Sequence, residues 1–135
     1  MKQARASLME LRTSAMRIKN QQVCSGAEQI CVSLDQILKA LKEQPEDLPK
    51  ARSFLHHSLP MLSGILRKYA RLEQSGVPNG EITEQTVNCL RDLEQAAQKQ
   101  YRNLFDDDVI DITADMEVLT QLCRQKGLLE EELAP

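Results

Sequence analysis

The 135-residue chain reads as an all-α protein, a four-helix bundle, and three observations carry that reading. Leu, Gln, Glu, Lys and Arg dominate while glycine and proline number only five each, and straight-chain residues lose little rotamer freedom in a helix. Apolar residues recur at steps of three and four along most of the chain, the period of a buried helical stripe. Pro45, Pro49, Gly76, Pro78 and Gly80 gather at 45–49 and 75–81, which mark interhelical turns. At this length a single domain over 1–135 is expected.

The first segment, 4–44, has a seven-residue beat in Met9, Met16, Val23, Ile30 and Ile37, with Ala27, Leu34 and Leu41 filling the alternate seam. Read as one helix it would run about 60 Å at 1.5 Å per residue. Ser25 and Glu28 form a capping-box pattern around Gly26, so the alternative is two helices meeting there. The stripe is rich only from Val23 onward, so 1–22 is expected to overhang or to mediate oligomerisation, in coiled-coil fashion.

Pro45 and Pro49 end that helix, and Pro49 suits the first turn of the next. The second helix, about 49–75, buries Leu55, Leu59, Leu62, Leu66 and Tyr69, with Met61 and Ile65 widening the stripe as though it were covered on two sides. Pro60 removes a backbone donor inside it and should kink it, and Gly64 permits close approach of a neighbour. Two shorter C-terminal helices follow. The third opens with Thr83 as N-cap and runs to Leu104, its inner face supplied by Val87, Leu90, Leu93, Ala97 and Tyr101. The fourth starts at Val109 with Asp108 as N-cap, turns Val109, Ile112, Met116, Leu119 and Cys123 inward, and stops at Gly127, where Leu128 folds back on Cys123.

Composition excludes several function classes. No apolar run approaches the ~20 residues that span a bilayer and no hydrophobic signal core is present, so a cytoplasmic protein is expected, with at most weak membrane-surface contact. Four aromatics, all assigned to the core, leave no stacking platform for nucleic acid. Cys24, Cys31, Cys89 and Cys123 form no zinc-ligand pattern and read as reduced core residues. Glycine-rich phosphate loops and serine or cysteine nucleophile motifs are absent from the sequence.

The net charge of −3 is polarised. Residues 1–27 carry Lys2, Arg5, Arg12, Arg17 and Lys19 against Glu10, whereas 103–119 holds Asp106, Asp107, Asp108, Asp111, Asp115 and Glu117 with no base. Arg5, Arg12 and Lys19 repeat every seven residues, which suits a partner-binding flank or pairing with a carboxylate-rich segment of this chain or a second copy. Asp108 and Asp111 at a helix start complement its positive end. Asp107, Asp108, Asp111 and Asp115 also lie close enough in sequence to hold a hydrated divalent cation, although no resident metal or cofactor is expected. Were the chain itself to hydrolyse a substrate, Asp111 and Asp115 would be the acid/base candidates, with His56 or His57 as a distant acid; His56 and His57 are adjacent and point about 100° apart on a helix.

The segments FLHHSLPMLSGILRKYARLE (54–73) and LFDDDVIDITADMEVLTQLCRQKGL (104–128) together resemble the 5-bromo-4-chloroindolyl phosphate hydrolysis protein family, also called XpaC-like. That resemblance implies a helical domain linked to hydrolysis of a chromogenic phosphate ester and to toxic-anion (tellurite) resistance proteins. Two functions are therefore expected to compete: a helical interaction or accessory protein, whose partner is a second copy or a toxic-anion resistance protein, and a metal-dependent phosphoesterase working through 107–115. Phosphoryl transfer needs positioned positive charge, and only Arg102 and Arg124 flank the acidic row, which favours the accessory role.

Overall fold

A computed structural model describes residues 2–77 and 79–130, which form helices joined by short turns, with no strand among them. The order is α1 (Lys2–Arg17), α2 (Gln21–Glu43), a 3₁₀ turn (Pro45–Asp47), α3 (Leu48–Gln74), α4 (Gly80–Asn103) and α5 (Asp106–Gln125). Where a single domain is expected, the chain divides between Leu104 and Phe105 into two compact units. The four-helix bundle is made by α1–α4, because the first predicted helix is two.

The break falls at 18–20, six residues before Gly26. Asn20 is extended, and its Oδ1 accepts the Val23 N–H at 3.1 Å, supplying an N-cap that the Ser25/Glu28 pattern does not. Glu73 of α3 then accepts the backbone N–H groups of Lys19 and Asn20 at 2.8 and 2.9 Å. These donors would otherwise be left unpaired by the turn. Gly26 has a different role: a Cβ there would sit 3.3 Å from Cβ and Cδ1 of Leu90, so the missing side chain lets α2 and α4 approach closely. At Gly64 the nearest such atom is the guanidinium tip of Arg67 at 3.9 Å, so the expected close approach is absent there.

The break also changes which face of α1 is buried. Leu8, Leu11, Ala15 and Ile18 step 3, 4, 3 and are at most 4% exposed, while Met9 and Met16 stand 68% and 82% exposed. The seven-residue beat seen in sequence therefore does not cross the turn. Residues 2–17 pack on α2 and α3, which corrects the expected overhang of 1–22.

From α2 come Val23, Ala27, Ile30, Leu34, Ile37 and Leu41, and from α3 Leu55, Leu59, Leu62, Leu66 and Tyr69, all buried as their spacing predicts. Met61 is exposed, so α3 is covered on one side rather than two. Pro60 lies inside α3, and the helix is kinked but continuous. Residue pairs give the directions: Gly26 meets Leu90 and Ser33 meets Glu94 and Gln98, so α2 and α4 run parallel. Tyr69 bonds Thr83 and Gln100 reaches Lys50, so α3 and α4 are antiparallel. The N-cap of α4 is Asn79, whose Oδ1 accepts the Ile82 N–H at 3.0 Å; Thr83, expected as the cap, instead pairs its hydroxyl with Tyr69.

Between α2 and α4 a polar cluster is fully satisfied. The buried Ser33 hydroxyl donates to the Glu94 carboxylate at 2.8 Å and accepts from Gln98 Nε2 at 2.9 Å. A buried hydroxyl without such partners would be costly.

Candidate functional site

The acidic row begins α5. The helix opens at Asp106 with Phe105 in the N-cap position and no side-chain cap, so Asp108 is not the cap and Val109 is not the start. Asp106, Asp107 and Asp108 together form the first turn, where three carboxylates face the positive end of the helix dipole. That local electrostatic gain offsets the missing cap. Asp111 and Asp115 lie farther along, and both are exposed. Among the described residues no three His, Cys, Asp or Glu side chains converge as a metal site would require.

The stripe Val109, Ile112, Met116, Leu119 and Cys123 is helical as expected, yet α5 buries none of its residues. Val109, Ile112, Met116 and Leu119 are 53–63% exposed, which corrects the prediction that they face a core. The C-terminus follows the sequence reading closely. Gly127 takes φ +71°, and the Leu128 N–H bonds the Cys123 carbonyl at 2.9 Å, a Schellman closure, although the Leu128 side chain stays exposed.

Two basic residues of α1, Arg5 and Arg12, face a carboxylate within the bundle. Arg5 Nη1 donates to Asp35 at 2.6 Å, Arg12 lies 3.9 Å from the same carboxylate, and Lys39 pairs with its other oxygen at 3.0 Å. The Lys39 and Arg5 hydrogen bonds hold the Asp35 carboxyl below its ordinary value. Internal pairing therefore occurs within the bundle, with Asp35 as the carboxylate. Lys19 meets Glu73 through its backbone N–H. No sequence signal singled out Asp35 or Glu73, because an isolated acidic residue on a helix carries no mark of a partner thirty or fifty residues away.

His56 and His57 are exposed on α3, their rings 5.2 Å apart edge to face. They belong to the bundle, and Asp111 and Asp115 belong to the second unit. His56 borders a cleft of about 190 Å³ between α1 and α3, floored by Leu55 and Leu59 and rimmed by Arg52, Ser7 and Gln3. A second groove of about 420 Å³, between α2 and α4, is lined by Gln21, Gln22, Gln29, Arg91 and Glu94. Ser7 and His56 both border the smaller cleft.

Neither Cys24 nor Cys31 is an activated thiol. Burial pushes Cys31 up from its ordinary value, and burial followed by the Glu28 carboxylate does the same for Cys24, whose Sγ donates to the Ala15 carbonyl at 3.5 Å. Among the described residues no helix is long and apolar enough to cross a membrane.

Comparison with curated proteins and with solved structures gave no match. A family model does match, over residues 1–119, and so takes in all of α1–α4 and most of α5 with its acidic row. By that match the chain belongs to the 5-bromo-4-chloroindolyl phosphate hydrolysis protein family.

Proposed function

We propose that this chain is a cytoplasmic accessory protein of its family, a helical interaction module that presents α5 to a protein partner in the toxic-anion resistance setting suggested by resemblance. One observation carries the reading: a 20-residue helix with a regular apolar stripe buries none of its residues. Soluble proteins rarely leave such a surface uncovered unless something binds it. Self-association through α1 has only the exposed Met9 and Met16 to use, because Leu8, Leu11 and Ala15 are used inside the bundle.

The competing phosphoesterase reading has the family description in its favour and needs Asp111 and Asp115 to act with a divalent cation. Purified protein, brought to constant specific activity, should show no turnover of 5-bromo-4-chloroindolyl phosphate above a blank with Mg²⁺, Mn²⁺ or Zn²⁺. Cells expressing the chain should hydrolyse the ester faster than cells expressing Ile112→Ser/Leu119→Ser. Metal-dependent turnover by the purified protein, abolished in Asp111→Asn/Asp115→Asn, would overturn the accessory role.

A further inference from the structure

The chemistry along α5 narrows what kind of partner covers it, provided that the reading of α5 as an interaction surface holds. At roughly 100° per residue, Val109, Ile112, Met116, Leu119 and Cys123 occupy one stripe. By the same count Asp108 and Asp115 border one edge of it, and Asp106, Glu117 and Arg124 border the other. The stripe is thus apolar along its centre, acidic on one flank and net acidic on the other, the arrangement by which paired helices select one another through charge. Over Asp106–Gln125 six carboxylates stand against one guanidinium, a formal charge of −5.

That charge decides between occupants. A second α5 packed at the usual 8–10 Å would set −5 against −5 within about one Debye length, where screening is incomplete. An anionic bilayer would repel the same flanks. A helix with an apolar seam bordered by lysine or arginine satisfies both the stripe and its edges. We infer that α5 is the docking helix for a basic amphipathic helix of a partner protein, laid along Val109–Cys123 with its cations against Asp108, Asp115 and Glu117.

The test uses the full chain and two labelled peptides of about 21 residues, leucine at the seam and either lysine or glutamate at the flanks, read by fluorescence anisotropy at physiological salt. The lysine peptide should bind and the glutamate peptide should not. Ile112→Ser/Leu119→Ser, which leaves the charge intact, should weaken binding about tenfold or more, and so should Asp108→Asn/Asp115→Asn, which leaves the stripe intact. Neither pair touches a buried residue, and because Asp108 also supports the first turn of α5, circular dichroism must show retained helix content before a loss of binding is read as loss of the flank.

Equal binding of the two peptides would overturn the basic partner while leaving an apolar docking surface. So would dimerisation that Ile112→Ser/Leu119→Ser abolishes, or stripe-dependent binding to phosphatidylserine vesicles in preference to the lysine peptide. Binding of the lysine peptide that is indifferent to Ile112→Ser/Leu119→Ser would show charge attraction alone. Failure of both peptides to bind, with the α5 amides protected from hydrogen exchange, would overturn the docking surface itself.

Discussion

Gly26 and Gly64 offer a matched pair of substitutions in which helix propensity cancels and a single contact remains. Both glycines lie inside long helices with ordinary backbone angles, α2 and α3 respectively. Replacing either by alanine should gain about 1 kcal/mol from reduced backbone entropy of the unfolded chain. At Gly64 the new Cβ meets only the tip of Arg67 at 3.9 Å, so the gain survives. At Gly26 it would lie 3.3 Å from two carbons of Leu90, which is 1% exposed and must give by a few tenths of an ångström to admit it. Overpacking a filled helix contact costs about 1–3 kcal/mol. Gly26→Ala should therefore be about 1 kcal/mol less stable than the wild type and Gly64→Ala about 1 kcal/mol more stable. Urea unfolding followed by circular dichroism reads both, with an unchanged slope as the sign that only stability moved. If Gly26→Ala stabilises as much as Gly64→Ala, the close approach of α2 to α4 is not tight and the reasoning fails.

Asp35→Asn should cost about 1 kcal/mol at neutral pH, since Arg5, Arg12 and Lys39 lose one shared carboxylate but are themselves partly exposed. Because the folded-state value of Asp35 is depressed, its contribution is full above about pH 4, the ordinary carboxylate value, and fades as pH falls through the lower folded value. Acid titration of stability in Asp35→Asn should accordingly be flatter below pH ~4 than in the wild type. Glu73→Ala should cost about 2 kcal/mol by leaving the Lys19 and Asn20 N–H groups without their charged acceptor, as urea unfolding would measure. Ellman's reagent should label exposed Cys89 rapidly and Cys31 only on unfolding; fast labelling of Cys31 in native protein would contradict its burial.

The sequence was a good guide wherever periodicity and burial coincide. Leu55, Leu59, Leu62, Leu66 and Tyr69 declare the inner face of α3, and Gly127 declares the end of α5, because local chemistry alone decides both. It was a poor guide to α1, since Met9 and Met16 extend a heptad that is rich only from Val23, and nothing nearby shows that Asn20 takes the cap. The candidate residues were legible as types and not as a site. Asp108, Asp111 and Asp115 share a helix, but whether they converge with other groups depends on tertiary placement that helical spacing does not encode. The stripe of α5 shows the same limit from the other side: its period reveals an amphipathic helix and is silent on what lies against it.

The carboxylate of Glu73 grips main-chain atoms more than fifty residues upstream, and this has a bearing on the order in which the protein assembles. As the chain emerges from synthesis, α1 and α2 are complete long before residue 73 exists, and closing so long a span carries an entropic cost that local contacts do not. The reversal at Ile18–Asn20 can form early, but it acquires its last two hydrogen bonds only when α3 has folded to nearly its final turn. Since the grip falls on backbone amides, position 19 is open to any side chain that keeps an N–H, and proline alone would release it.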